Sequence, residues 1–359
     1  MHTLTNNNID QLSAEATQLL RQLIATPSFS REEAGTALLI ESFFKERGVK
    51  VHRLENNILA VNKFYDSSKP TILLNSHHDT VKPNKDYVND PYNAFESGGK
   101  LFGLGSNDAG GCLVALAATF LHFYERSDMK YNLLFAASAE EEISGVNGVT
   151  ALLPVIGAIN CAIVGEPTLM QMAVAEKGLM VIDCIAHGSS GHAARGEGDN
   201  AIYKAMNDIA WFRNFQFPEV SPFLGAVKMS VTMINAGTQH NVVPASCSFT
   251  VDVRINDCYT NEEILEVVRA HVQCTVTPRS TRLRSSSIGL GHPLVAAGSA
   301  LGLETYGSAT LSDKTLMPFP ALKIGPGDSA RSHMADEYIY TDEIRQGLDI
   351  YIQLLNSIL

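Results

Sequence analysis

The sequence predicts an α/β fold, with a sheet covered by helices on both faces, that is interrupted by a smaller α+β domain. In the first half of the chain, apolar segments with helical spacing alternate with short apolar runs of strand length. Such alternation is typical of sheets covered on both faces. From about Ala173 longer strands dominate, and after about residue 283 the first pattern resumes. We therefore expect one domain over 1–172 and 284–359 and another over 173–283.

The elements follow from this periodicity and from stop signals such as Gly48, which ends the second helix. In the larger domain we expect helices over 12–24, 32–47 and 109–124 and from about 341, and strands over 58–61, 71–75, 131–138 and 161–164. In the smaller domain we expect strands over 172–186, 228–234 and 246–255, helices over 200–212 and 261–271, and a closing segment over 274–283.

Composition excludes several classes of protein. The 359 residues carry a formal net charge of -11, so the chain lacks the basic surface of a nucleic-acid binder. No apolar run approaches the roughly 18–20 residues of a membrane span, and the N-terminus does not read as a signal peptide. The six cysteines include no C-x-x-C pair, which argues against disulfides and zinc ribbons. We expect a cytoplasmic protein with no nucleic-acid or membrane partner.

The first of five chemistry-bearing segments is Ser76-His77-His78-Asp79, which follows an apolar strand. Open α/β sheets bind ligands at the carboxyl ends of their strands. Because side chains alternate along a strand, His77 and Asp79 point the same way and His78 the opposite way. A metal-bound imidazole commonly donates its other N–H to a carboxylate. A histidine-rich loop end without a metal is the alternative.

The second segment is glycine-rich and surrounds Asp108. The segment does not match the dinucleotide-binding motif G-x-G-x-x-G, because Asp108 stands at the third glycine position. Its negative charge would repel a bound pyrophosphate there. A carboxylate held among glycines at a helix start could bridge two cations. An ordinary helix N-cap is the alternative reading.

The remaining three segments are Glu140-Glu141-Glu142, Gly165-Glu166-Pro167, and a glycine–proline turn leading to His333. Adjacent carboxylates could divide the work, one binding metal and one taking a proton from water, although a solvated acidic loop is the alternative. Two histidines and three carboxylates form a donor set suited to two zinc-like ions, namely His77, Asp108, Glu142, Glu166 and His333. Neither H-E-x-x-H nor G-x-S-x-G is present.

The order of these five motifs resembles the M20 metallopeptidase family, in particular its acetylornithine deacetylase and succinyl-diaminopimelate desuccinylase branch. The resemblance covers essentially the whole chain. It implies that 1–172 and 284–359 form a di-metal catalytic domain with a mixed sheet, and that 173–283 form a lid or dimerisation domain. It also implies that the protein binds two divalent ions, which are zinc or, as alternatives, cobalt or manganese. On this resemblance His77 and Glu166 bind one ion, Glu142 and His333 bind the other, and Asp108 bridges the two.

The resemblance further implies that Glu141 is the general base and that Asp79 orients His77. The family usually has Asp-Glu-Glu where this chain has three glutamates, and a slip of one residue would make Glu140 the base. In the smaller domain, His192 matches the lid histidine that stabilises the oxyanion, in dimeric members from the neighbouring subunit. Asn241 and Arg254 match substrate-contacting positions. A loop histidine, a turn asparagine and a strand-edge arginine are the structural alternatives.

The implied activity is hydrolysis of the amide bond of a small N-acyl amino acid, such as N-acetyl- or N-succinyl-ornithine or -citrulline, in arginine or lysine biosynthesis, by a homodimer. A succinyl group would need a further cation, which Arg254 or Arg331 could supply. A dipeptidase or carboxypeptidase of the same fold is the nearest alternative. A non-catalytic binding protein would have lost ligands or the base, and none is missing.

Overall fold

The computed structural model describes residues 6–359, which divide into two units. Unit 1 comprises the chain up to Val174 together with Ile288–Tyr306 and Ser312–Leu359. Unit 2 comprises Ala175–Ser287 and Gly307–Leu311. Over the described residues, no helix combines the length and the apolar character that crossing a bilayer requires.

The helices are α1 (Asn6–Ile24), α2 (Ala34–Lys45), α3 (Gly111–Phe123), α4 (Val149–Leu152), α5 (Ala201–Asn214), α6 (Asn261–His271), α7 (Pro293–Ala300) and α8 (Thr341–Asn356). The strands are β1 (Val51–Leu54), β2 (Asn57–Val61), β3 (Thr71–His77), β4 (Phe95–Ser97), β5 (Lys100–Phe102), β6 (Asn132–Ser138), β7 (Cys161–Val164), β8 (Met172–Glu176), β9 (Gly178–His187), β10 (Gly191–His192), β11 (Lys228–Ala236), β12 (Val242–Val243), β13 (Ser246–Ile255), β14 (Thr275–Pro278), β15 (Ser286–Ser287), β16 (Thr305–Ser308), β17 (Ala321–Lys323) and β18 (Tyr338–Tyr340).

The main sheet of unit 1 is mixed, as predicted. Its strands follow the order β1, β2, β6, β3, β7, β17, β8. The four central strands, β6, β3, β7 and β17, run parallel, and the outer pairings are antiparallel. Every residue of β3 and β6 is buried. Continuous apolar runs are typical of parallel strands that are covered on both faces, which is why these two are recognisable in the sequence.

The helices pack against this sheet through their apolar faces. Helix α3 is buried along nearly its whole length, and it contacts α1, α8 and β3. Another part of the core joins Val149 and Leu152 of α4 to Leu73 and Leu134 of the sheet. The central parallel strands are therefore held in packed surroundings, and their carboxyl ends are fixed relative to one another.

Unit 2 has its own antiparallel sheet, with the order β11, β13, β9, β14, and two helices, α5 and α6. Residues of β9 alternate between buried and more exposed positions, as expected for a strand with one face on a core. That core includes Ile182, Phe212, Val251 and Ile264. Helix α6 begins with a capping box in which Thr260 and Glu263 bond each other's backbone N–H.

The predicted single strand over 172–186 is wrong. The chain breaks at Lys177 into β8 and β9, which join different sheets. A Cβ atom added at Gly178 would lie 2.6 Å from the backbone nitrogen of Ser285. The backbone at Gly178 therefore packs closely against the backbone near Ser285. Hydrophobic patterning cannot reveal such a break, because both strands are apolar.

Candidate active site

The carboxyl ends of the parallel strands bring the predicted residues of unit 1 together. His77 is the last residue of β3 and pairs in register with Ser138, the last residue of β6. The three glutamates 140–142 follow β6, and Glu166 follows β7 by two residues. His333 comes from the loop after β17. Adjacent parallel strands end at the same edge of a sheet, so the fold itself gathers these side chains.

His77 is buried and faces carboxylates with one ring nitrogen. Its Nε2 lies 3.3 Å from Oδ1 of Asp108, and 3.8 Å from both Oε2 of Glu141 and Oε1 of Glu166. Its Nδ1 lies 3.0 Å from the backbone oxygen of Asp79 and 3.4 Å from Oδ1 of the same residue. An N–H at Nδ1 donating to Asp79 leaves the Nε2 lone pair free for a cation.

Asp108 lies between two imidazoles. Its Oδ1 faces His77, and its Oδ2 lies 3.7 Å from Nε2 of His333. The same Nε2 atom of His333 lies 3.1 Å from Oε2 of Glu142. The Glu142 carboxylate raises the pKa of His333 to about 9. Asp108 stands in an irregular turn before α3, and the peptide bond between Asp108 and Ala109 is cis.

The three consecutive glutamates have different surroundings. Glu140 turns away to accept hydrogen bonds from the side chain and backbone nitrogens of Asn147, at 2.9 and 3.3 Å. The backbone N–H groups of Glu141 and Glu142 donate to the two carboxylate oxygens of Asp79, at 3.0 and 3.1 Å. Glu140 has a φ of +55°, a left-handed conformation that is uncommon outside glycine and here turns the chain. The turn directs Glu141 and Glu142 toward the histidines.

The electrostatics of the cluster reflect crowded like charges. Burial lowers the pKa of His77, but Glu141 and Asp108 outweigh that effect and raise this pKa well above its ordinary value. Burial and the charge of Glu166 raise the pKa of Glu141 well above its ordinary value, against the opposing effect of His77. Carboxylates this close together repel one another unless protons or cations neutralise them.

The donor set fits divalent cations. In the part of the chain that the structure describes, two groups of three residues place ligand atoms within 4.8 Å of one another: His77, Asp108 and Glu142, and His77, Glu141 and Glu166. Imidazole nitrogens with carboxylate oxygens suit zinc and neighbouring first-row ions. Four carboxylates and two imidazoles carry a net negative formal charge even with both imidazoles protonated. The arrangement can therefore hold cations and place a proton-accepting carboxylate beside them.

Comparison with known proteins identifies the family. Residues 73–357 match the peptidase family M20/M25/M40, which is most of the chain. The chain belongs to this family. As an M20 protein it is a metal-dependent hydrolase of the deacetylase, desuccinylase and peptidase type.

Two curated relatives illustrate the range of M20 activities. The chain is 29% identical to the acetylornithine deacetylase of Erwinia tasmaniensis over 382 residues, covering 94% of this chain and 96% of the relative. It is 29% identical to the succinyl-diaminopimelate desuccinylase of Beijerinckia indica subsp. indica over 273 residues, covering 70% and 71%. Among solved structures it resembles the YXEP protein of Bacillus subtilis, described as a dinuclear metal-binding M20 peptidase. The TM-score is 0.74 at 14% identity, and the match covers 96% of this chain and 98% of the YXEP chain.

Three predicted site residues of this M20 chain lie in unit 2. His192 ends β10, which pairs with β12, and the backbone N–H of Ala193 donates to the backbone oxygen of Asn241 at 3.1 Å. His192 and Asn241 are thus close neighbours. Arg254 lies on β13 and bonds both carboxylate oxygens of Asp252, at 2.9 and 3.2 Å.

Sequence reasoning missed several buried acids of unit 1 near the cluster. Glu33 accepts hydrogen bonds from the backbone N–H of Glu140 at 3.1 Å and from the side chain of Asn56 at 2.8 Å. Asp313 accepts a hydrogen bond from Ser138 at 2.5 Å, and burial raises its pKa to about 6. Glu337 accepts hydrogen bonds from backbone N–H groups of the turn that carries Asp108. None of these acids stands in a spacing that marks it in the sequence.

Proposed function

We propose that this M20 hydrolase cleaves the amide bond of a small N-acylated amino acid, of the N-acetyl- or N-succinyl-ornithine or -citrulline type. The products are a carboxylate and a free amino acid. The names of the relatives support this substrate class. The observation that carries the metal-dependent mechanism is the position of Asp108, whose two oxygens face the separate imidazoles of His77 and His333 at 3.3 and 3.7 Å.

We assign one cation to His77 and Glu166 and the other to His333 and Glu142, with Asp108 shared. Zinc is the proposed ion, and cobalt or manganese would suit the same donors. Bound cations would polarise the acyl carbonyl and lower the pKa of a water molecule from ~15.7 toward ~7. The residues of the chain supply the remaining chemistry.

Glu141 is the proposed general base. Its carboxylate takes a proton from the water molecule that attacks the acyl carbon, and it then gives this proton to the amine nitrogen as the amide bond breaks. Asp79 holds Glu141 in place by accepting its backbone N–H, and it also fixes the Nδ1 side of His77. Glu140 is a poor candidate for the base because its carboxylate is engaged with Asn147.

We propose the roles of the unit 2 residues from the resemblance: His192 as an oxyanion contact, Asn241 and Arg254 as substrate contacts. The neighbouring positions of His192 and Asn241 support a joint role. A succinyl substrate would need a cation. Arg254 is already paired with Asp252, and Arg331 is paired with Glu343 at 2.7 and 2.9 Å, so either would have to share its guanidinium.

We further propose that the enzyme is a cytoplasmic homodimer of amino-acid biosynthesis, in the arginine or lysine branch. The edge position of β11 in unit 2 supports the dimer, since over the described residues this strand pairs with β13 on one side. This strand ends the antiparallel sheet, and Met233 and Ile234 on it are 62% and 59% exposed. Unpaired strand edges invite pairing with another chain.

The deciding experiment measures amine release from N-acetyl- and N-succinyl-ornithine, from the corresponding citrullines, and from several dipeptides. Each assay runs with added Zn²⁺ and again with excess chelator. Chelator-sensitive release from one acylated amino acid supports the proposal and identifies the acyl group. Release from dipeptides alone would assign the chain to the peptidase type. Zinc-loaded protein that hydrolyses none of them would reject this substrate class.

A further inference from the structure

A buried carboxylate of unit 1, Glu337, lies directly behind Asp108. Its Oε1 accepts hydrogen bonds from the backbone N–H groups of Asn107 and Asp108, both at 2.8 Å. Its Oε2 accepts one from the backbone N–H of Gly105 at 3.0 Å. The residue is only 1% exposed. One side chain therefore satisfies three amides of the turn that presents the shared ligand.

This turn needs an external acceptor because its backbone is irregular. Gly105 has a left-handed φ of +74°, and Asp108 is extended with φ −113° and ψ 100°, so the residues between them do not continue a single helical repeat. Buried N–H groups are costly when they lack an acceptor, and a regular repeat would otherwise supply one. Three such groups in four residues find theirs on Glu337.

Glu337 is itself fixed by the strands around it. It immediately precedes β18, whose residues Tyr338 and Ile339 pair with Phe102 and Leu101 of β5. Its backbone oxygen accepts the N–H of Gly103 at 3.0 Å. Glu337 is thus anchored by the same short sheet that leads into the turn.

The role of Glu337 differs from that of Asp79. Asp79 bonds the backbone of Glu141 and Glu142 and also lies 3.4 Å from the imidazole of His77. The hydrogen bonds of Glu337 to this turn all go to backbone amides. The geometric link from Glu337 to a bound cation is therefore the backbone of the turn that carries Asp108.

We propose that Glu337 is a positioning residue that holds the Asp108 turn in its cation-binding conformation before any cation arrives. The inference rests on the proposed function only in taking Asp108 to be a shared ligand. It implies a preformed site, in which the cation meets a turn that is already ordered by hydrogen bonds.

The first test uses hydrogen exchange on the chelator-treated wild-type protein. The amides of Gly105, Asn107 and Asp108 should exchange slowly without any cation, because Glu337 already binds them. Fast exchange that becomes slow only on adding Zn²⁺ would overturn the proposal, since the cation and not Glu337 would then order the turn. This measurement needs no variant and no substrate.

The second test compares Glu337→Gln with Asp208→Asn. The carboxamide of the Glu337→Gln variant would present an NH₂ group to at least one of the backbone amides. We therefore expect faster exchange in the turn and Zn²⁺ binding weaker by about 10–100-fold, measured by chelator competition. The absorption bands of the Co²⁺-loaded variant should shift as well.

Asp208 is the matched control, because it is a buried carboxylate in unit 2 that accepts backbone N–H groups of Gln273 and Cys274, both at 3.0 Å.

Asp208→Asn should lower stability while Zn²⁺ affinity and the Co²⁺ spectrum stay unchanged. A Glu337→Gln protein that keeps wild-type affinity, spectrum and exchange would overturn the proposal. A weakened site in a protein that hydrolyses no acylated amino acid would support the role of Glu337 and reject the proposed substrate class. The two proposals therefore fail separately.

Discussion

The glutamates at 140, 141 and 142 show how one residue type acquires separate roles from its surroundings. Glu140 is tied to Asn147, Glu141 lies 3.8 Å from the Nε2 atom of His77, and Glu142 lies 3.1 Å from that of His333. Of the three, Glu141 brings its carboxylate to the cluster without accepting a hydrogen bond from Asn147 or His333, which supports our proposal that it is the base. The turn that follows β6 sets this arrangement.

Glu141→Gln should lower kcat by about 10²–10⁴-fold, because the amide keeps the shape of the side chain but cannot accept the proton. Bound metal, measured by elemental analysis, should stay at the wild-type level. Glu140→Gln is the matched control, and its kcat should fall less than about tenfold, since the Glu140 carboxylate accepts hydrogen bonds from Asn147. Near-normal turnover by Glu141→Gln would show that another residue is the base.

The adjacent histidines 77 and 78 provide a second contrast. His78 is buried on the opposite side, with Nδ1 2.9 Å from the hydroxyl of Thr36 and Nε2 3.0 Å from the backbone oxygen of Asn56. Burial lowers its pKa to about 4, so it is neutral at physiological pH. Its bonds tie α2 to the loop after β1.

His77→Ala should therefore reduce the bound metal, whereas His78→Ala should keep it and lose about 1–3 kcal/mol of stability from unsatisfied buried groups. Metal analysis and denaturant unfolding of both variants check this. Equal metal loss in the two variants would contradict the opposite orientations of these side chains.

At this scale the sequence predicted the residues that end buried strands, since parallel strands place those ends together whatever the details of packing. It did not predict Glu33 or Glu337. Their contacts go to backbone groups of distant turns, through pairings such as that of β18 with β5. An isolated acid carries no local signal of a tertiary hydrogen bond.

Among the elements, the start of α3 depends on glycines for space. A Cβ on Gly110 would lie 2.4 Å from the backbone oxygen of Gly105 and 2.6 Å from the side chain of Leu20. A backbone atom cannot move aside as a flexible side chain does. Within the glycine-rich segment that does not match the dinucleotide motif, Gly110 thus serves close packing of the turn that carries Asp108.

Gly110→Ala should displace this turn, weaken Zn²⁺ binding and cost about 1–3 kcal/mol in stability. Gly289→Ala is the matched control, because a Cβ there would meet nothing within 4 Å, and its stability should stay within about 0.5 kcal/mol of wild type. Calorimetric Zn²⁺ titration and denaturant unfolding measure both effects. Unchanged Zn²⁺ binding by Gly110→Ala would mean that the turn tolerates the shift.

Element prediction succeeded where burial makes strands continuous and apolar, as in β3 and β6. It failed at Lys177, where β8 and β9 join different sheets, and it missed β1, which is only partly buried and contains His52 and Arg53. Hydrophobic periodicity reports burial of a segment, whereas the partner of a strand is decided by contacts distant in sequence.

For the whole molecule, bound cations should stabilise the folded state, because the unfolded chain does not preserve the cluster. At a free Zn²⁺ concentration of about 100 times Kd, linkage predicts about 2.7 kcal/mol of added stability. Thermal unfolding with chelator and with graded Zn²⁺ should therefore show a rising midpoint, and the chelated protein should lose its hydrolytic activity until Zn²⁺ is returned. A midpoint independent of Zn²⁺ would contradict a site that forms only on folding.

The role of unit 2 stays a prediction, and the edge of its sheet offers the test. An edge strand that meets its own copy across a twofold axis forms an isologous interface, and exposed apolar residues on β11 favour such pairing. We expect sedimentation equilibrium to give twice the chain mass of 38.9 kDa at micromolar concentration.

Ile234→Lys should shift this equilibrium toward the monomer, because a lysine on a strand edge opposes pairing. Val155→Lys is the matched control, since Val155 is also 59% exposed but lies in unit 1, and it should leave the mass unchanged. A wild-type protein that sediments as a single chain would reject the dimer. A dimer that survives Ile234→Lys would place the interface elsewhere.

An activity assay of the monomeric variant then tests whether turnover needs a second copy of the chain. This test matters because the family resemblance assigns His192 to the neighbouring subunit in dimeric members.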